Sequence, residues 1–492
     1  MTRGWLTAVS ILTVMFGVAS FVLHRSDHPL TYDEGDYYLA VQRGFWVNYT
    51  DADDIALPEF ISMGIAAVRD SSSRAELSDY IRASGSTMLL RHYHPPLAFY
   101  PAIALQPFVT SLPLHWQLRL ANVFWLLLWP AVLFLLAYRR PEAASPVMLL
   151  LPASAAMAMA AVGFNMHLPF GLLLSLFLYT LYLYERFRDE VYLRWAAASC
   201  AGLMATVEYG MFVLFFLAVW MAVKLVRSTR RRHSALRMLK YAGLALLFFA
   251  VFWPAGVLKL NMLKSWAFVM YIALFRLKDE PVAFDGWLSL ILEKWNSSPL
   301  ELLILLVLLV YLVYRWREAL RRGSLFIASG VLALLLYLQV NPALVYRWYL
   351  FPGFAIALFF LMDVASRERA LAALRRPLPV MALAALLFGI AAFAVAKPDY
   401  SELRVLHCFI EGHATSTMYL PRSLQPQFTP YYPEHRIVSY HDSAFPDMAL
   451  ADSVAQWRRT GLTVLPRAVA KDLPLPDFGT EHYVVYCDED AR

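Results

Sequence analysis

Charge is scarce in this chain. Of its 492 residues only 16% are Asp, Glu, Lys or Arg, while 60% are hydrophobic, and mean hydropathy is +0.51. A soluble globular domain carries about 25% charge, so the composition excludes a soluble domain, a string of them, and a disordered chain. Cysteine is nearly missing too. Three cysteines cannot build a disulfide scaffold. Cys200 lies in an apolar run, and Cys408 and Cys487 can pair only if the C-terminal region is outside the cytoplasm. There is no Gly-rich phosphate loop, no Gly-x-Ser-x-Gly and no His-Glu-x-x-His, so the soluble-enzyme chemistries those motifs carry have no support. The histidines near the C-terminus (His407, His413, His435, His441, His482) lack tight metal-ligand spacing, which argues against a structural zinc there. No internal repeat and no low-complexity segment is found.

What is present is apolar sequence in long runs. A span needs about 20 apolar residues. Candidates fall at 5–23, 117–138, 143–163, 168–184, 193–208, 210–226, 241–257, 300–316, 325–341, 349–364 and 379–396, about eleven crossings. The first run is too long for a signal-peptide core and is read as an uncleaved helix. Residues 224–240 hold seven Lys/Arg and no acid, and 315–323 and 364–377 hold four basic residues each against one acid. With the N-terminus inside, all three loops fall in the cytoplasm, as Lys and Arg prefer. The net charge of +6 is therefore a topology signal, not a sign of nucleic-acid binding. Loop 24–93 carries eleven acids against six basic residues and falls outside. The expectation is an all-α polytopic membrane protein over 1–396. It has outward loops at 24–116 and 258–299, the second reading as an amphipathic stretch on the membrane surface. A small extracytoplasmic α/β domain is expected over 397–492.

Three outward clusters can carry chemistry. Asp33, Glu34 and Asp36 follow the first span and precede a short amphipathic stretch, Tyr37 to Phe45. A carboxylate held between water and lipid can keep the basicity to take a proton from an acceptor. The plainer reading is that these acids only mark the outer end of a helix. Further along, RHYHPP places Arg91, His92 and His94 before Pro95-Pro96. Proline suits the first helical position, and a helix start favours an anion; solvated flanks of an interfacial helix are the plainer alternative. In NPALVYRWYLFPG, Arg347 stands among Tyr346, Trp348 and Tyr349 on the side usually poor in Arg. It can grip a phosphate bidentately or simply snorkel to headgroups. Glu208 in ATVEYG, and Asn165 and His167 in GFNMH, are further ionisable or polar positions in outward turns.

Taken in order, these pieces resemble one family. An Asp-Glu after the first span, a His-Pro-Pro-Leu later in the same loop, Arg119-Leu120 opening the second span and Arg347-Trp-Tyr-Leu-Phe-Pro352 are similar to marks of the GT-C membrane glycosyltransferases. The likeness is to the group of protein O-mannosyltransferases and lipid A aminoarabinose transferases, and covers roughly residues 1–360. It implies a GT-C fold, a polyprenyl- or dolichyl-phosphate sugar donor, and transfer at the outer face. By resemblance Asp33 is the catalytic aspartate with Glu34 as its neighbour, His94 lies near the donor phosphate, and Arg347 lies near the lipid phosphate. Two departures stand out. A turn commonly Thr-Lys-Gly reads Val207-Glu208-Tyr209-Gly210, and an acid common in the next outward turn reads Asn165 or His167. Both point to a different sugar or acceptor.

The reaction expected is inverting transfer of a sugar from polyprenyl phosphate to an acceptor hydroxyl or amine. Asp33 acts as base, and His94, Arg91 and Arg347 meet the departing phosphate. Asp36, Tyr37, His92, Tyr346, Tyr349, Glu208 and His167 are the expected substrate contacts. No cofactor is firmly implied; a divalent cation on Asp33, Glu34 and Asp36 stays open. The partners are the lipid-linked donor, membrane lipids and a glycan, lipid or protein acceptor, and the expected location is a bacterial inner membrane with the site facing the periplasm. A lipid or sugar transporter, or a non-catalytic assembly scaffold, are the alternatives. Transporters tend to show inverted repeats and broken spans near the midplane, and here the polar residues gather at the outer face.

Overall fold

The computed structural model describes residues 28–30, 34–44, 57–84, 95–139, 163–258 (except 165, 208, 209 and 212), 263, 310, 401–412, 417–421, 424–440, 457, 461–467, 470, 476, 478–480 and 483–487. The expected spans at 5–23, 143–163, 300–316, 325–341, 349–364 and 379–396, and the outward loop 258–299, fall almost wholly outside them.

The loop 24–116, expected to face outward, is largely helical where described. α1 (Glu34–Arg43) carries the stretch expected to be amphipathic, and ends at Gly44, whose φ of +76° is the left-handed geometry glycine takes without strain. α2 (Leu57–Arg69) and α3 (Ser71–Ser84) form a hairpin. Between them Asp70 accepts from the Ser73 N–H at 3.1 Å. This anchoring holds its carboxyl down at about 2, with the Ser72 hydroxyl the leading cause. The Pro-Pro start expected at 95–96 becomes a 3-10 turn, Pro96–Phe99, running into α4 (Tyr100–Val109).

The bundle follows. α5 (Leu114–Arg139), α6 (His167–Phe187), α7 (Glu190–Met204), α8 (Val213–Arg227) and α9 (Arg231–Phe252) correspond to the apolar runs at 117, 168, 193, 210 and 241. α6 and α7 are antiparallel neighbours across a minimal turn. Arg188 adopts φ +58° and donates its N–H back to Tyr184 O at 2.8 Å. Asp189 then caps α7 by accepting from the Val191 N–H at 3.0 Å. The apolar run expected at 241–257 differs from its helix. α9 starts ten residues earlier, because Arg, Ala, Leu, Met and Lys are all good helix formers and hydropathy marks only the lipid-facing part. It ends at Phe252 because Pro254 disfavours helical geometry at Trp253.

Two of these helices, Leu168–Phe187 and Arg231–Phe252, are long and apolar enough to cross a membrane. They sit differently. α6 is enclosed by protein, with Leu172, Phe177, Tyr179 and Leu183 buried. α9 turns Leu236, Leu239, Leu246, Leu247 and Val251 outward, each more than half exposed. A helix with an apolar outer face has lipid as its solvent.

The C-terminal part holds α10 (Ser401–Glu411) and a five-stranded mixed sheet of β1 (Thr417–Pro421), β2 (Arg436–Tyr440), β3 (Leu462–Pro466), β4 (Phe478–Gly479) and β5 (Tyr483–Tyr486). Strand order is β2-β1-β3-β5-β4. β1 is parallel to β2 and β3, with Met418 opposite Ile437 and Leu462; β5 is antiparallel to β3 and β4. Leu403, Leu406 and Ile410 of α10 close a core over Met418, Leu420, Leu462, Val464 and Val485. Cys408 is exposed on α10 while Cys487 lies in that core, and no disulfide joins them.

Candidate active site

Six separate stretches of the loop 24–116 and the bundle meet at one end of the helices. The centre is an ion pair the apolar surroundings make conspicuous. Arg119, one turn into α5, is 1% exposed; Glu34, the first residue of α1, is 3% exposed. Arg119 Nε donates to Glu34 Oε1 at 2.8 Å and Nη2 to Oε2 at 2.6 Å, a bidentate fork. Nη1 donates to His28 O at 2.7 Å, and Nη2 also lies 3.0 Å from Pro29 O and from His28 Nδ1. The guanidinium has no acceptor atoms, so His28 Nδ1 pairs with it only as an acceptor and with Pro29 O, 2.9 Å away, only as a donor. Burial, and then the Arg119 charge, pull the His28 pKa down to about 3, and the ring is neutral at physiological pH.

The turn 163–164 locks the carboxylate from the other side. The Phe164 N–H donates to Glu34 Oε1 at 2.5 Å. Gly163 lets the backbone come that close: a Cβ there would stand 3.2 Å from Oε1. Asn122, three residues along α5 from Arg119 and fully buried, donates to Gly163 O at 2.8 Å. Around this polar knot Tyr37, Phe99 and Phe164 pack ring to ring at 5.6–5.8 Å. Leu30, Ala98, Ile103, Leu118 and Met166 complete the apolar shell.

Two more stretches join it. The Leu97 N–H donates to Ala205 O at 2.9 Å, tying the Pro-Pro turn to the end of α7. The Tyr100 hydroxyl donates to Phe252 O at 2.8 Å, tying α4 to the end of α9. From the C-terminal part, the Tyr431 hydroxyl accepts from the Leu30 N–H at 2.9 Å. Burial raises that phenol to about 12, so it stays protonated. Beside it His407 stacks on Phe428 at 4.2 Å, with its pKa lowered by burial to about 4.

The chain shares its fold with solved structures. One is ArnT from Cupriavidus metallidurans bound to undecaprenyl phosphate: TM-score 0.55, 15% identity, 99% of this chain and 98% of that one covered. The apo state of the same ArnT aligns at TM-score 0.50 and 14% identity over 98% and 97%. The likeness is one of fold and extends over nearly the whole of both chains. No family model matches the chain, and no curated protein matches it in sequence. The composition independently reads as that of a polytopic membrane protein.

Within this fold the candidates divide. Glu34 is described and its two oxygens are committed to Arg119, so a cation held partly by Glu34 would have to displace a buried guanidinium. Tyr37 is half-buried in the aromatic cluster. Asp36 lies in the first turn of α1 and His167 at the start of α6, their side chains outside the described residues. Asp33, Arg91, His92, His94, Glu208, Tyr346, Arg347 and Tyr349 also lie outside them. Their chain neighbours are instructive. Glu34 follows Asp33, Leu97 comes three after His94, and Val207 precedes Glu208; all three belong to the converging stretches. Among the described residues no group of three His, Cys, Asp or Glu could hold a metal ion.

Sequence reasoning used Arg119 only as a mark of resemblance and named no partner for it. The signal was there: an Arg, with Gln117 and Asn122, inside an apolar run is a functional hypothesis by default. The reach of Tyr431 across to Leu30, 401 residues apart, had no local signal.

Proposed function

We propose that the protein is an integral membrane glycosyltransferase that moves a sugar from polyprenyl phosphate to an acceptor hydroxyl or amine at the periplasmic face of a bacterial inner membrane. The observation that carries this reading is the convergence. Segments flanking Asp33, His94 and Glu208 meet around the buried Arg119–Glu34 pair, in a fold shared with a protein whose structure holds undecaprenyl phosphate.

Asp33 takes the acceptor's proton. The acceptor attacks the anomeric carbon, the bond to the phosphate oxygen breaks, and polyprenyl phosphate leaves from the opposite face with inversion. His94, Arg91 and Arg347 meet the charge growing on that phosphate; one preorganised donor of this kind is worth about 3–4 kcal/mol. Asp36, Tyr37, His92, Tyr346, Tyr349, Glu208 and His167 line the sugar and acceptor. Glu34, whose carboxylate is taken by Arg119, positions the start of α1 next to the base. Base catalysis contributes roughly a hundred- to ten-thousand-fold, and a donor tethered in the membrane reduces the entropy cost of positioning.

The test pairs wild type with Asp33→Asn, both verified as folded by thermal melt. Each is given radiolabelled polyprenyl-phosphate sugars and a crude acceptor extract. Wild type should consume a donor and the variant should not. Donor consumption by the folded variant at the wild-type rate overturns the assignment of the base, and no consumption by wild type across a broad donor panel overturns the transferase reading.

A further inference from the structure

A cavity lies far from the Arg119–Glu34 pair. It occupies about 580 Å³ between α6, α7, α8 and α9. Its walls are apolar for most of their length, from Phe249, Cys200 and Leu214 at one end down to Leu181 and Met221. Small side chains make the space: Ala196 and Ala197 on α7 and Ala242 and Ala245 on α9. From Ser234 to Phe249 on α9 is fifteen residues, about 22 Å of helix. The result is a long, narrow slot.

Its other end is cationic. Arg188, Lys224 and Arg237 line it together with Ser228 and Ser234, and among the described residues no carboxylate does. Lys224 pairs with Glu185 at 2.5 Å, Arg188 reaches the same Glu185 at 3.4 Å, and Arg237 reaches Glu190 at 3.4 Å and the Tyr184 hydroxyl at 3.1 Å. These pairs set three lining cations against two carboxylates, a surplus of one, and the surroundings add to it. The stretches 185–190 and 224–240 together hold nine Lys/Arg against three carboxylates. The Ser228 and Ser234 hydroxyls, 2.7 Å apart, add neutral donors. By the positive-inside rule this end faces the cytoplasmic leaflet. It is one full length of α6 from the Phe164 turn, 21 residues or about 30 Å. A phosphate held here is out of reach of the candidate active site.

We propose that this slot is a binding site for an anionic glycerophospholipid of the inner leaflet, its phosphate on Arg188, Lys224 and Arg237 and one acyl chain in the apolar slot. Charge complementarity chooses the occupant. Anionic lipids are concentrated in the cytoplasmic leaflet, and basic pockets between membrane helices capture their headgroups. The chain fills a space whose lining otherwise lacks contact partners on one side. The site is independent of the transfer chemistry, and its ligand ties α8 and α9 to the α6–α7 hairpin.

The full chain in neutral detergent is incubated with phosphatidylglycerol, phosphatidylcholine or undecaprenyl phosphate, and retained lipid is counted by native mass spectrometry alongside the melting temperature. Phosphatidylglycerol should be retained at least tenfold over phosphatidylcholine and should raise the melting temperature. Arg237→Gln, which removes a half-exposed cation, should lower retention several-fold. Ala245→Leu, which fills the slot and changes no charge, should do the same, and both variants should melt near wild type without lipid. Equal retention of phosphatidylcholine, undiminished phosphatidylglycerol in both variants, or displacement by equimolar undecaprenyl phosphate overturns the proposal.

Discussion

Glu34→Gln is the most informative single change, because it removes one charge and almost no volume. In the wild type the Arg119 guanidinium is 1% exposed and makes a bidentate contact with Glu34 at 2.8 and 2.6 Å. The variant leaves the backbone acceptors His28 O and Pro29 O in place but no countercharge. Breaking a buried pair from one side costs about 3–5 kcal/mol. Arg119→Met goes further, since it also strips donors from His28 O and His28 Nδ1, and belongs at the upper end of that range. The double variant carries neither charge. Replacing a whole buried pair by groups of similar volume is often neutral, so the two losses should not add. A coupling near 2 kcal/mol is expected, within the usual span of about 0.5–3 for contacting residues. The assay is a thermal and denaturant melt of the four proteins in one detergent at one pH. If Glu34→Gln melts with wild type, or if the two single losses simply sum, the pair is not the buried, mutually dependent unit described.

Other expectations follow from the same region. His28 is held neutral with its pKa near 3, and His407 near 4. Both folded values lie below the unfolded one, so each contributes stability that is present above pH 6.5 and lost as pH falls below it. The expected slope between pH 6.5 and 4 is up to about 1.4 kcal/mol per pH unit per histidine; melting wild type and His28→Gln across that window should give a shallower curve for the variant, and identical curves would refute the assignment. Gly163→Ala puts a Cβ 3.2 Å from Glu34 Oε1 and should cost about 1–3 kcal/mol by overcrowding, seen as a lower melting temperature and a loss of transfer. A wild-type melt would show that the turn simply moves away. Tyr431→Phe removes the acceptor for the Leu30 N–H and should cost about 1–3 kcal/mol. Limited proteolysis should then release the C-terminal part earlier, and unchanged cleavage would mean the contact does not hold it.

How much of this was legible beforehand depends on the range of the interaction. Apolar runs marked α5 to α8 to within a few residues, because a span is a local property of 20 consecutive side chains. The same measure misplaced α9, since hydropathy reports lipid contact while helix formation runs on through RRHSALRMLK. The Pro95-Pro96 start was readable for equally local reasons, while the stretch Tyr37 to Phe45 was read only as amphipathic and its helix, Glu34–Arg43, begins three residues earlier. The order of short motifs along the chain was enough to suggest the GT-C fold, although each motif alone was weak.

Tertiary structure decided the rest. Glu34 reads as a second acid beside Asp33, and only the approach of α5, 85 residues later, turns it into the partner of Arg119. Gly163 carries no signal of its own until Phe164 is seen donating to that carboxylate. The cationic slot between α6 and α9 depends on four helices packing with alanines facing inward, and the junction of Tyr431 with Leu30 spans nearly the whole chain. The sequence by itself marked the protein as polytopic and apolar and placed the helices now described as α5 to α8, because composition and periodicity act on neighbouring residues. Which of those residues touch is set by packing between distant segments, where one buried charge needs its partner within about 3 Å and no local pattern records which partner that is.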